Sequence, residues 1–74
     1  VEKEMVLVKF PITEHLSDIS ALCQAYNGGI VNVGKEMIIA MVADEPVRIQ
    51  HFIEAAQRYN PYEVVRGGVV AIER

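Results

Sequence analysis

Two histidines, one cysteine, one arginine and a helix entry loop are the places where this sequence could do chemistry. His15 and His51 belong to a residue type that ligates metals or moves protons, and Cys23 to one that ligates metals or attacks electrophiles. Their placement supports neither use. A closed metal site needs about four ligands, commonly in closely spaced pairs, and no such pairing exists here. By helical angle His51 falls off the apolar stripe of its helix and His15 at the edge of one, so both read as surface residues. Cys23 falls on an apolar face with no His or Lys placed to lower its pKa, which describes an inert buried thiol. No paired carboxylates, Ser/His/Asp order or phosphate-binding Gly-Lys motif occurs. Gly28-Gly29 follows a helix, where glycine stops a helix; phosphate loops precede one.

Two features leave room for binding. Phe10-Pro11-Ile12-Thr13-Glu14 leads into a helix, whose first free amides suit an anion such as an amino-acid carboxylate. Ile12, Thr13 and Glu14 are therefore a candidate effector loop, set against a plain capped helix start. Arg66 stands beside Gly67-Gly68, and a planar five-donor side chain there suits gripping a carboxylate or carbonyls across an interface.

The elements that must position these residues follow from periodicity and punctuation. Glu4 to Phe10 is apolar at five of seven positions and rich in Val and Leu, a strand pattern, and ends at Pro11. Thr13 can cap a helix with Glu14 and Asp18 near its positive end, and Leu16, Ile19, Leu22, Cys23 and Tyr26 form its apolar stripe. Asn27-Gly28-Gly29 supplies left-handed residues to stop it. Ile30 to Val33 is a second strand, Gly34-Lys35-Glu36 a tight turn, and Met37 to Ala43 a third strand. Asp44 is the expected N-cap of a second helix, with Pro46 in its first turn and Ile49, Phe52, Ile53, Ala56 and Tyr59 on one face. Phe52 and Tyr59 there read as core rather than as a base-stacking platform. Asn60-Pro61 ends that helix. Tyr62 to Ile72 is extended and interrupted by Gly67-Gly68, a hairpin turn or a bulge, with the hairpin preferred.

That order, β-α-β-β-α-β, is the split βαβ or ferredoxin-like arrangement, an α+β open sandwich with both helices on one face of an antiparallel sheet. The first and third strands are then central. Val6, Val8 and Phe10 share one side of the first strand, and Met5, Leu7 and Lys9 the other, with Lys9 marking the side away from the helices. The third strand is apolar on both sides: Met37, Ile39, Met41 and Ala43 on one, Ile38, Ala40 and Val42 on the other. A sheet apolar on both faces leaves one face to be covered from outside. Leu7, Met37, Ile39 and Met41, with Arg66, are the candidate interface residues.

Composition points the same way. The 74 residues make one domain, 1–74, near the lower size limit for a sufficient core, and 51% of them are hydrophobic. Cys23 stands alone, so no disulfide within the chain can staple it, and a homodimer is the expected reinforcement. A net charge of −3, a pI near 5.2 and seven scattered basic residues give no footprint for nucleic acid. No apolar run approaches the roughly 20 residues of a membrane span, and no signal peptide is recognisable. A cytoplasmic location, no cofactor and no metal are the expectations.

From Glu4 to Arg74 the sequence resembles the C-terminal domain of the regulatory small subunit of acetolactate synthase, also called acetohydroxyacid synthase. The resemblance is carried by Glu4-Met5-Val6-Leu7-Val8-Lys9, by Gly29-Ile30-Val31-Asn32-Val33 and by Ile49 with Phe52-Ile53. The closing Glu63 to Arg74 is similar to a family ending of Glu-Val-X-Arg-Thr-Gly followed by an Ala-Leu-containing strand. It departs from the family at Ala43-Asp44, Gly67 and Tyr59-Asn60-Pro61-Tyr62, all turn positions.

The resemblance implies a ferredoxin-like, dimerising, non-catalytic domain. In that family the small subunit activates a thiamine-diphosphate-dependent catalytic subunit in branched-chain amino-acid biosynthesis and confers feedback inhibition, usually by valine. The effector site there belongs mainly to an N-terminal ACT domain absent from this sequence. The chain thus reads as a domain separated from its subunit or as a stand-alone relative. The competing reading is an ACT-like small-molecule (amino acid) or metal-sensing module; ACT domains typically carry a Gly in the first β-α turn, and none lies between Met5 and Asn27.

Overall fold

A computed structural model describes residues 2–12 and 15–71, with side chains described no further than residue 67. The elements run β1 (Glu2–Pro11), α1 (Leu16–Ala25), β2 (Gly28–Val33), β3 (Met37–Asp44), α2 (Pro46–Ala56), a 3-10 turn (Gln57–Tyr59) and β4 (Glu63–Ala71). The four strands form one antiparallel sheet in the order β2-β3-β1-β4. This is the ferredoxin-like α+β architecture, with the first and third strands central.

The core lies between sheet and helices. Val6, Val8 and Phe10 of β1 and Ile38, Ala40 and Val42 of β3 are buried against Ile19 and Cys23 of α1 and Ile49, Phe52 and Ala56 of α2. Period-two alternation in the strands meets period-3.6 stripes on the helices, so each element buries one face. Two aromatic contacts close the ends of this layer. Phe10 meets Tyr59 edge-on at 6.4 Å between ring centres, and Tyr26 meets Phe52 at 5.7 Å.

Local chemistry explains most boundaries, and several differ from expectation. Asn27 (φ 64°) and Asn60 (φ 53°) are left-handed and end the helical segments. Gly28 and Gly29 are strand residues instead of helix stops, and among the described residues no glycine has positive φ. α1 begins at Leu16 with His15 in the N-cap position, so the cap falls later than Thr13, which lies outside the described residues, as does Glu14. α2 takes Glu45 as its N-cap residue and Pro46 as its first. Asp44 instead ends β3 and accepts the Glu45 amide at 2.8 Å.

The preferred hairpin at Gly67-Gly68 is not formed. β4 runs unbroken through it, and its register against β1 shifts there: Glu4 faces Val69 and Val6 faces Arg66, so two residues of β4 oppose Met5 alone. The glycine pair is a β-bulge. Ile72, the expected end of the last strand, lies outside the described residues.

Candidate functional site

The side of the sheet away from the helices gathers four of the five candidate interface residues. Residues directly paired across antiparallel strands project to the same face. Leu7 of β1 is paired with Met41 of β3 on one side and Val65 of β4 on the other. Met5 is paired with Ala43, Lys9 with Ile39, and Pro11 with Met37. Met5, Leu7, Met37, Ile39, Met41 and Ala43 are all partly exposed, and Val65 is 44% exposed. The patch is contiguous across three strands, with Leu7 and Met41 at its centre.

β2 extends the patch without filling it. Gly29 is paired with Met41, and a Cβ built there would have nothing within 4 Å. Met41 therefore stands beside a shallow gap. The single charged contact on this face is Lys9 with Glu63, 3.1 Å apart among the described residues and paired in register. It lies toward the end marked by Pro11 and Tyr62, whose amide donates to the Lys9 carbonyl at 2.6 Å. A pair this exposed contributes little to folding, on the order of 0–1 kcal/mol.

Both sheet edges are irregular. β2 shifts register between Ile30 and Asn32, leaving Val31 out of step and 55% exposed, and β4 carries the Gly67-Gly68 bulge. Bulged edges are poor templates for adding a further strand.

Arg66 is not part of this face. It is paired with Val6, whose side chain is in the core, so it projects toward the helices. Its guanidinium donates to Gln50 Oε1 of α2 at 3.1 Å and pairs closely with the Glu4 carboxylate. It fastens β4, β1 and α2 to one another. In the candidate effector loop, Ile12 is 45% exposed and its amide donates to the Glu36 carbonyl at 3.4 Å, while Thr13 and Glu14 lie outside the described residues.

A second cluster was only half visible in the sequence. Arg48 donates to Asp44 Oδ2 at 2.7 Å and to the Ala25 carbonyl at 2.8 Å, and its guanidinium lies 5.1 Å from the centre of the Tyr26 ring. It joins the end of α1 to the start of α2 and the end of β3. Burial pushes the Asp44 carboxyl up, but hydrogen bonds from Arg48 and the Glu45 amide, with the nearby positive charges of Arg48 and Lys3, outweigh it and leave the group below its ordinary range. The visible signal is the Asp44-Arg48 spacing of four; the Ala25 and Tyr26 contacts are tertiary.

The remaining reactive types are placed for structure. Cys23 is buried, and burial pushes its thiol up to about 11, which leaves almost no thiolate at neutral pH. His51 is exposed on α2, and His15 stands at the head of α1, 3.6 Å from Asp18. Among the described residues no group of three or more His, Cys, Asp or Glu side chains could share a metal ion. A hollow of about 410 Å³ at the β2–β3 turn is lined by Asn32, Gly34, Lys35, Glu36 and Met37 and opens to solvent. None of its polar side chains is buried. Among the described residues no helix is long and apolar enough to cross a membrane.

The family described as the small subunit of acetolactate synthase matches residues 3–74. Among solved structures, the chain is similar to the acetolactate synthase small subunit from Thermotoga maritima, with a TM-score of 0.80 and 30% identity. That alignment covers all of this chain and 46% of the other, so this chain spans just under half of that protein's length.

Proposed function

This chain belongs to the acetolactate synthase small-subunit family, as its C-terminal domain, and from that membership we propose that it is a non-catalytic regulatory module that works by association. It pairs with a second copy of itself through the open sheet face. Within the small subunit it supports activation of the catalytic subunit in branched-chain amino-acid biosynthesis, in the cytoplasm. It takes no cofactor and neither nucleic acid nor membrane as partner.

One observation carries the association reading: a contiguous apolar patch on the face that no element among the described residues covers, with Leu7 and Met41 at its centre. The domain measures 36 × 20 × 18 Å. Four strands of 10, 6, 8 and 9 residues, at about 3.3 Å per residue and 4.8 Å between strands, offer a face of roughly 500 Å². Two such faces bury roughly 1,000 Å², the low end for a biological interface. The bulged edges favour stacking of faces over pairing of edges.

Mixing experiments test the regulatory part. The purified chain should turn over no pyruvate and bind no thiamine diphosphate, and immobilised chain should retain the catalytic subunit. A catalytic subunit that passes unretained, and whose activity is unchanged by saturating chain, would contradict the reading.

A further inference from the structure

The sheet sorts the chain's sulfur. The single cysteine lies on the helix side, fully buried, with a thiol that is not ionised at neutral pH. All three methionines, Met5, Met37 and Met41, lie on the open face and are partly exposed in the single chain. Met41 is the central one, between Leu7 and the gap over Gly29. A peroxide reacts with cysteine as the thiolate, whereas a thioether needs no deprotonation. Oxidant therefore finds its accessible sulfur on one face only, and reaches it in the free chain that exchanges with the dimer.

We propose that the open face is a redox-sensitive contact: oxidation of Met5, Met37 and Met41 to sulfoxides by a peroxide-class oxidant releases the second copy and leaves the fold intact. The proposal rests on the reading of this face as the self-association surface. In each step the thioether sulfur attacks one oxygen of hydrogen peroxide, the O–O bond breaks and an S–O bond forms. Sulfur loses two electrons, and the other oxygen leaves as water with both protons. A sulfoxide oxygen is a strong acceptor that needs a donor once water is excluded. Around Leu7 and Met41 the paired residues, Val65 and Gly29, carry no side-chain donor, and the donors of Lys3, Lys9 and Asn32 stand toward the rim. In the free chain the same sulfoxide stays hydrated, and the core on the other side of the sheet is untouched. The cost therefore falls on association.

The test oxidises the chain with hydrogen peroxide until mass spectrometry shows three added oxygens, then measures the dimer constant by sedimentation equilibrium. Dimerisation should weaken at least about tenfold, with helix content unchanged. Treatment with methionine sulfoxide reductases should restore it. A chain carrying Met5→Leu, Met37→Leu and Met41→Leu should dimerise and ignore peroxide. Oxidised chain that dimerises as tightly as untreated chain, or that unfolds, overturns the proposal, as does a triple variant that is still peroxide-sensitive. Untreated chain that is monomeric at these concentrations defeats the underlying reading and the proposal with it, and so separates the two failures.

Discussion

Gly28 and Gly29 are adjacent residues of one strand, yet replacing each with alanine should have opposite consequences. A Cβ on Gly28 would lie 2.5 Å from Val42 Cγ2 and 2.7 Å from Val42 Cα, and closer still to the Met41 carbonyl oxygen. Two of these three neighbours are backbone atoms of the central strand β3, so no rotamer change relieves the overlap. Restoring van der Waals distance requires β2 to move off β3 by roughly 1 Å, which breaks the register in which Gly28 faces Val42. Overpacking of this kind costs about 3 kcal/mol, the upper part of the usual range. For a domain of this size, that lowers the melting temperature by roughly 12–24 °C. A Cβ on Gly29 meets nothing within 4 Å, and its φ is not in the left-handed region. Gly29→Ala should hold stability or raise it by about 0.4–1 kcal/mol, through the smaller entropy of its unfolded chain. Thermal unfolding followed by circular dichroism checks both. A Gly28→Ala variant melting within about 3 °C of the parent would refute the reasoning, because the close packing of β2 on β3 would then be absent.

Three further outcomes follow from the same geometry. The Asp44 carboxyl is held below its ordinary range in the folded chain, so the stability it contributes is fully present above about pH 4 and is lost as pH falls through the lowered folded value. Asp44→Asn should therefore melt below the parent at pH 7, and the gap should narrow as pH falls below about 4; a gap that does not narrow would refute the assignment. Arg66→Ala should cost about 0.2–1 kcal/mol of stability, with most of that coupled to Glu4 in a double-mutant cycle, and should leave the dimer constant unchanged. Calorimetry should find no micromolar valine affinity for this chain, since a constant near 1 μM, about −8 kcal/mol, would favour an effector-sensing module.

Where a residue's neighbours are set by period alone, the sequence was readable. The sides of β1 and β3 follow from strict alternation, and Lys9 marks the open side because a charged side chain is costly to bury in the helix-side core; it stands beside Glu63 instead. Elsewhere one residue pair serves two geometries. Gly67-Gly68 satisfies a two-residue hairpin as well as a bulge, and only the pairing of β4 along the whole of β1 decides between them. That misreading set Arg66 at a turn rather than over Val6 and α2. Arg48 was hidden for a different reason. A helical wheel puts it off the apolar stripe, while its contact with the Ala25 carbonyl depends on how two helices end together. Thr13 was the expected cap of a helix that in fact takes His15 as its N-cap residue, which reflects how weakly helix starts are specified by a single polar side chain.

The self-association of the open face is tested most directly by sedimentation equilibrium of the parent chain and Leu7→Lys at micromolar concentration, with circular dichroism on both. Leu7 sits at the centre of the patch and outside the helix-side core, so the lysine adds a charge where two faces would meet and disturbs little else. The parent should be a dimer, and Leu7→Lys a folded monomer. A parent that is monomeric with the same fold, or a Leu7→Lys dimer as tight as the parent's, would contradict association through this face.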